Sequence, residues 1–148
     1  MAAISSGVFP VNNIKFEVNI SKTETEEFVT IADMESASIT VDTGVETWFS
    51  ITDGGWQKAL ATSKSFSVDM SGKRCIGDAG NDFVSDKWNK NGQDCNADFR
   101  ITFPNEDTLT FDGVIQITSM WGGDATNVAG LEFTILCNGE PIYTKKST

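Results

Sequence analysis

Apolar and polar residues alternate with a period of two along most of this chain, the pattern left by strands that bury one face and wet the other. In SASITVD (36–42), Ala37, Ile39 and Val41 share one side, and Ser36, Ser38, Thr40 and Asp42 share the other. SFSVDMS (65–71) sets Phe66, Val68 and Met70 against Ser65, Ser67, Asp69 and Ser71. DFRITF (98–103) sets Phe99, Ile101 and Phe103 against Asp98, Arg100 and Thr102. TLTFDGVIQITSM (108–120) begins with Leu109 and Phe111 inward, passes Gly113, where a bulge is predicted, and continues with Ile115 and Ile117. IKFEVNI (14–20) and GLEFTILC (130–137) read as further strands, the second so apolar that a central place in a sheet is expected. PNED (104–107) and NGEP (138–141) read as turns.

One segment has helical spacing. In NDFVSDKWNKNG (81–92), Asn81 or Asp82 is the predicted N-cap, Phe83, Val84 and Trp88 form an apolar stripe, and Gly92 is the predicted stop. The expected fold is mainly β: an antiparallel β-sandwich or barrel with one flanking α-helix. The 148 residues make one domain, 1–148, with no repeat or low-complexity tract to divide them. That length is enough to bury a core without staples, and ten Phe and four Trp supply it with large apolar bodies.

Composition narrows the function. The net charge is −10, with 11 cations against 21 anions and a pI near 4.3. Affinity for nucleic acid comes mainly from cations that displace counterions at phosphates, so this chain is expected to repel DNA rather than grip it. Cys75, Cys95 and Cys137 are an odd number without short spacing, and there is no His. This is neither a disulfide framework nor a zinc pattern, and the thiols read as reduced, as in a protein assembled in the cytoplasm. Catalysis by Ser-His or Cys-His is excluded, and nothing singles out a carboxylate pair among the acids, so an enzyme is not expected. No cofactor is expected either. The start, MAAISSGVFPVNNIKF, has no basic region followed by an apolar one, so no signal peptide is expected. No run of about 18 apolar residues is present to span a membrane.

The stretch SGKRCIGDAGNDF (71–83) concentrates Lys73 and Arg74, the glycines 72, 77 and 80, and Asp78, Asn81 and Asp82. As a phosphate loop it has its Lys before the glycines and no Ser or Thr after it at the magnesium position. As a calcium loop it lacks both the D-x-[DN]-x-[DN]-G spacing and a downstream bidentate Glu. The physics favours a junction: a strand runs out through Lys73 and Arg74, Gly77 and Gly80 permit positive φ, and Asn81 or Asp82 starts the helix.

The order GGWQKALATSKSFSVDMSGKRCIGDAGNDFV (54–84) resembles the signature region of the major tail tube proteins of long-tailed bacteriophages. These have a Trp-bearing loop, a strand, a G-K-R and G-D-x-G-N-D run, and an aromatic entry into a short helix; Cys75-Ile76 is a loose part of the match. The similarity extends more weakly over most of the chain. It implies a β-sandwich with a flanking helix, six copies to a ring, and stacked rings forming the tube through which DNA reaches the host. It also implies further copies of the chain, the tape measure protein and other tail proteins as partners, no membrane, and a place in the virion after assembly in the host cytoplasm. Lys73, Arg74 and Asp78 would then make contacts within or between subunits. Tubes of contractile tails and of secretion systems share the architecture.

Several features suit a tube. The polar strand faces carry Asp42, Asp69, Asp98 and Asp112 against Arg100, about −3 per subunit if all line a lumen. Repeated around a ring, such a surface lets a duplex slide. The alternative is the ordinary wet face of a half-exposed sheet. TGVETWFSITDGGWQKALAT (43–62) is long for a connection, and its Trp48, Phe49 and Trp56 are candidates for subunit contacts, part of the segment being a hairpin extension. Residues 1–13, with Ile4, Val8, Phe9 and Val11, form an N-terminal arm, either disordered or ordered by a neighbour. The competing function is a monomeric β-sandwich module that binds carbohydrate on Trp48, Trp56 and Trp121.

Overall fold

The computed structural model describes residues 7–146. Eight strands and one short α-helix follow in the order β1 (Lys15–Asn19), β2 (Phe28–Thr30), β3 (Met34–Phe49), β4 (Gln57–Lys73), α1 (Ala79–Ser85), β5 (Asn96–Thr102), β6 (Thr108–Met120), β7 (Gly130–Cys137) and β8 (Ile142–Thr144). All pair antiparallel in one sheet of order β2-β1-β5-β6-β7-β4-β3, with β8 added beside the start of β6. The sheet is open, since β2 and β3 at its two ends do not pair with each other.

Alternation explains the core. Val18 of β1, Phe99 and Ile101 of β5, Phe111 and Ile115 of β6, Leu131, Phe133 and Ile135 of β7, and Val68 and Met70 of β4 are all buried and form one cluster. Strands at both ends of the sheet contribute to that cluster, so one face of the sheet folds around it. Phe111 stacks on Phe99 at 5.6 Å and meets Phe66 edge-on at 5.1 Å, tying β4, β5 and β6 together. Val84 of α1 is completely buried in the same cluster, so the helix closes one end of the folded sheet. β7 lies between β6 and β4, the central place its apolar run predicts.

Three local expectations need correction. Gly113 carries no bulge: it pairs in register with Ala97 and Cys137, and the irregularity of β6 falls between Ile117 and Ser119. Gly113 lies on the core side, where a Cβ would stand 2.4 Å from Cγ2 of Ile135 and 3.2 Å from the Phe99 ring. The glycine is there for close packing rather than for a kink. The α-helix is shorter than predicted and starts earlier. Its N-cap is Asp78, whose carboxylate accepts from the Asn81 N–H at 3.0 Å, and Asp82 reaches back to the Gly77 N–H at 3.1 Å. The chain then continues as 3₁₀ turns at Asp86–Asn89 and Gly92–Cys95, so Gly92 does not stop the α-helix.

The third correction concerns 43–62, which is no loose connection. β3 and β4 pair from Met34↔Gly72 out to Phe49↔Gln57, and only a 3₁₀ turn at Ile51–Asp53 joins them. Since β7 pairs with β4 only over Ser67–Lys73, residues 57–66 have no strand on their other side, and the hairpin projects from the sheet. Residues 1–6 of the arm lie outside the described residues. Val11–Asn13 form an exposed 3₁₀ turn.

Candidate assembly surface and channel face

The stretch 71–83 is a junction centred on Asn81, which is completely buried. Its Oδ1 accepts from Arg74 Nη1 at 2.8 Å and from the Cys75 N–H at 3.1 Å. Its Nδ2 donates to the carbonyls of Ala32 and Lys73, each at 3.0 Å. One amide therefore satisfies the backbone where β4 ends and where β2 turns into β3. Asp78 adds to this by accepting from the Ala32 N–H at 3.1 Å as well as capping α1. Gly80 permits the approach, because a Cβ there would meet the Thr30 carbonyl oxygen at 2.4 Å. Arg74 pairs with Asp82 at 2.8 Å and lies over the Trp121 ring at 5.2 Å, and Lys73 pairs with Glu35 at 3.1 Å. Lys73, Arg74 and Asp78 thus all have partners inside their own subunit. The donors and acceptors of the stretch are satisfied by the fold, as a junction requires.

Asp42, Asp69, Asp98, Arg100 and Asp112 all lie on the face of the sheet opposite the core. The registers connect them: Asp98 stands directly across from Asp112, Asp69 lies between Ser38 and Thr134, Thr134 faces Gln116, and Asp42 faces Ser65. Glu132, opposite Ser71 and Ser119, joins the same face and escaped the sequence reading because its strand looked apolar on both sides. Asp69 accepts from the Thr134 hydroxyl at 2.6 Å. Arg100 is held by buried Glu17 at 3.0 Å and lies 4.3 Å over the Phe28 ring, so its charge is largely compensated locally.

Asp98 titrates above the usual carboxylate range, first because of partial burial, then because of the adjacent Asp112 and Glu26. The folded chain therefore holds a proton that the unfolded chain has released. The associated stability is fully present below the ordinary carboxylate value and is lost as pH rises through the raised one. Asp98→Asn is expected to raise the melting temperature at neutral pH, with a gain that shrinks as pH falls. Melting curves across that range check it.

The hairpin exposes apolar groups on both faces. Val41, Val45 and Phe49 continue the core-facing row beyond the core and are all exposed, while Trp48 and Leu60 are exposed on the other side. At the tip Ile51 is fully exposed and Trp56 is 79% exposed. Ser50 caps the tip turn, the Trp56 N–H donates to the Asp53 carbonyl at 3.1 Å, Gly54 and Gly55 take positive φ, and Lys58 pairs with Asp53 at 3.1 Å. These contacts fix the tip while leaving its apolar side chains without neighbours. Apolar surface of this extent on a small domain marks an interaction site. Trp121 sits at the far end of the molecule beside α1, so Trp48, Trp56 and Trp121 do not form one platform for a sugar.

No family model and no curated protein matches the sequence. Solved structures do. The chain is similar to a protein in the tail of an empty gene transfer agent (GTA) particle, solved with helical refinement and C6 symmetry. The identity is 18% and the TM-score 0.71 over 93% of this chain and 99% of the other. A protein of the native GTA virion gives 19% identity and a TM-score of 0.67, again over 93% and 99%. A chain of the six-fold symmetrised baseplate of the anti-feeding prophage gives 13% identity and a TM-score of 0.53 over 98% and 97%. What is shared at these identities is the fold, and this chain has the mainly β, helix-flanked fold of phage-like tail proteins.

Proposed function

We propose that this chain is the structural subunit of a tail tube: six copies close a ring, rings stack, and the acidic sheet face lines the channel through which DNA is delivered. The observation that carries the reading is the fold shared over nearly the full length of both chains with a protein from a C6-symmetric tail. The exposed apolar hairpin supports it, because such a surface has no use in a lone domain but is what an assembling subunit needs. The open sheet supports it as well, since β3 is a 16-residue strand with one edge unpaired. The tape measure protein and other tail proteins are the expected partners. The virion is the expected location after assembly in the host cytoplasm, and no catalytic role is expected. In this reading Trp48, Phe49 and Trp56 anchor subunit contacts. Lys73, Arg74 and Asp78 hold the junction that supports the contact surface.

Trp56→Ala tests the reading on one protein. Because Trp56 is almost free of its own subunit, the melting temperature of the unassembled chain is expected to stay within about 2 °C, as for a surface substitution. Polymerisation is expected to weaken by roughly 2 kcal/mol or more per contact. A marked fall in melting temperature with unchanged polymerisation overturns the assignment of Trp56 to an interface.

A further inference from the structure

A second apolar surface lies at the opposite end of the molecule from the hairpin tip. It is a cleft of about 520 Å³ lined by Arg74, Asp82, Phe83, Asp86, Trp88 and Trp121. Trp88 and Trp121 are 53% and 43% exposed, a large aromatic area to leave facing water. Trp121 is also held in an unusual conformation, with a φ of 51° in the left-handed region that bulky side chains avoid. Its backbone N–H donates to the Gly130 carbonyl at 2.8 Å and its indole N–H to buried Ser85 at 2.9 Å, so the ring is fixed in place. Strain retained around a fixed, half-exposed aromatic is the mark of a prepared binding surface. Asp82 is taken by Arg74, but the exposed Asp86 carboxylate has no ion-pair partner among the described residues.

β4 connects the two surfaces. It leaves the hairpin tip at Gln57 and ends at Lys73, next to Arg74 in the cleft wall. Seventeen residues of strand separate tip from cleft by roughly 50 Å. No chain can therefore insert its own tip into its own cleft. A projecting apolar knob at one pole and an aromatic cleft at the other make a head-to-tail pair, and such contacts propagate into filaments. The charges also match, since the tip carries the half-exposed Lys58 and the cleft carries Asp86.

We propose that the cleft between α1 and Trp121 receives the hairpin tip of a second copy of this chain in the adjacent ring. Ile51 and Trp56 would pack on Trp88 and Trp121, and Lys58 would face Asp86. The inference rests on the tube reading and assigns the receptor for one of its contacts. The tip is already ordered by Ser50 and by the Asp53–Lys58 pair, so docking costs little further ordering.

The test compares the unsubstituted protein with Ile51→Asp, Trp88→Ser, Asp86→Lys, Lys58→Glu and the Asp86→Lys/Lys58→Glu double variant. Tube length is measured by negative-stain microscopy and sedimentation, and folding by melting. The single variants are expected to keep the fold and the ring but to shorten tubes about tenfold or more, equivalent to about 1.4 kcal/mol per ring-to-ring step. The charge-swapped double variant is expected to recover much of the lost length. Tubes of normal length from Trp88→Ser and Asp86→Lys, or a double variant no longer than either single one, overturn the cleft as receptor while leaving the tube intact. Absence of rings and tubes from the unsubstituted protein overturns the tube reading itself, and the inference with it.

Discussion

Tubes assembled from Asp69→Lys/Asp112→Lys subunits are expected to bind duplex DNA at low salt, whereas unsubstituted tubes are not. Both side chains lie on the face away from the core, Asp69 bonded only to the Thr134 hydroxyl and Asp112 to Asn138 at 3.3 Å. Replacing exposed polar contacts of this kind costs little stability, so the subunits are expected to fold and assemble. The double change moves each subunit by four charge units, and the change repeats in every subunit of every ring. A channel that repelled phosphate then presents many cations along it, and each phosphate neutralised steepens the salt dependence by nearly one unit of slope. Binding at 50 mM salt is expected to exceed binding at 200 mM by about a thousandfold or more. Assembled double-variant tubes that bind no more DNA than unsubstituted ones would show that this face does not line the channel.

Asn81→Ala is expected to be the most destabilising single change in the junction. The substitution leaves two carbonyls without a donor and an N–H and a guanidinium without an acceptor, all at a buried site. Stranding several buried polar groups costs roughly 3–5 kcal/mol, a large part of the 5–15 kcal/mol that holds a domain together. For a domain of this size that lowers the melting temperature by about 6–15 °C. Asp78→Asn preserves a good cap and is expected to cost far less than Asp78→Ala, which loses both the cap and the bond to Ala32. Neither calcium nor phosphate is expected to restore the melting of Asn81→Ala, because the loop serves the fold rather than a ligand. Restoration by either would contradict the junction.

Alternation made most of the sheet legible where one face is buried and the other wet. The strands at 108–120 and 130–137 begin and end where the pattern places them, and their inward rows are the core. The pattern faded where that asymmetry is missing. Along 43–49 and 57–64 both faces are exposed within the subunit, so Val45 and Phe49 alternate with Glu46 and Trp48 and no apolar row stands out. β2 and β8 have three residues each, too few for a period, and are held by pairing to β1 and β6. The acidic face was readable as a parity of residues, because register carries parity from strand to strand. The partners of Asn81 were not, since its four bonds go to Ala32, Lys73, Arg74 and Cys75 on segments that only the fold brings together. The Trp88–Trp121 cleft was hidden for the same reason, with 33 positions of chain between the two rings.

The central claim is that the chain assembles by itself into a hollow tube whose polar sheet face points inward. Electron cryomicroscopy of the purified protein at high concentration, with helical reconstruction, measures this directly. The expected result is six subunits per ring, stacked rings, and Asp42, Asp69, Asp98 and Asp112 facing an open lumen. A chain that stays monomeric at millimolar concentration with tail partners present, or tubes with those four residues on the outer wall, would contradict it.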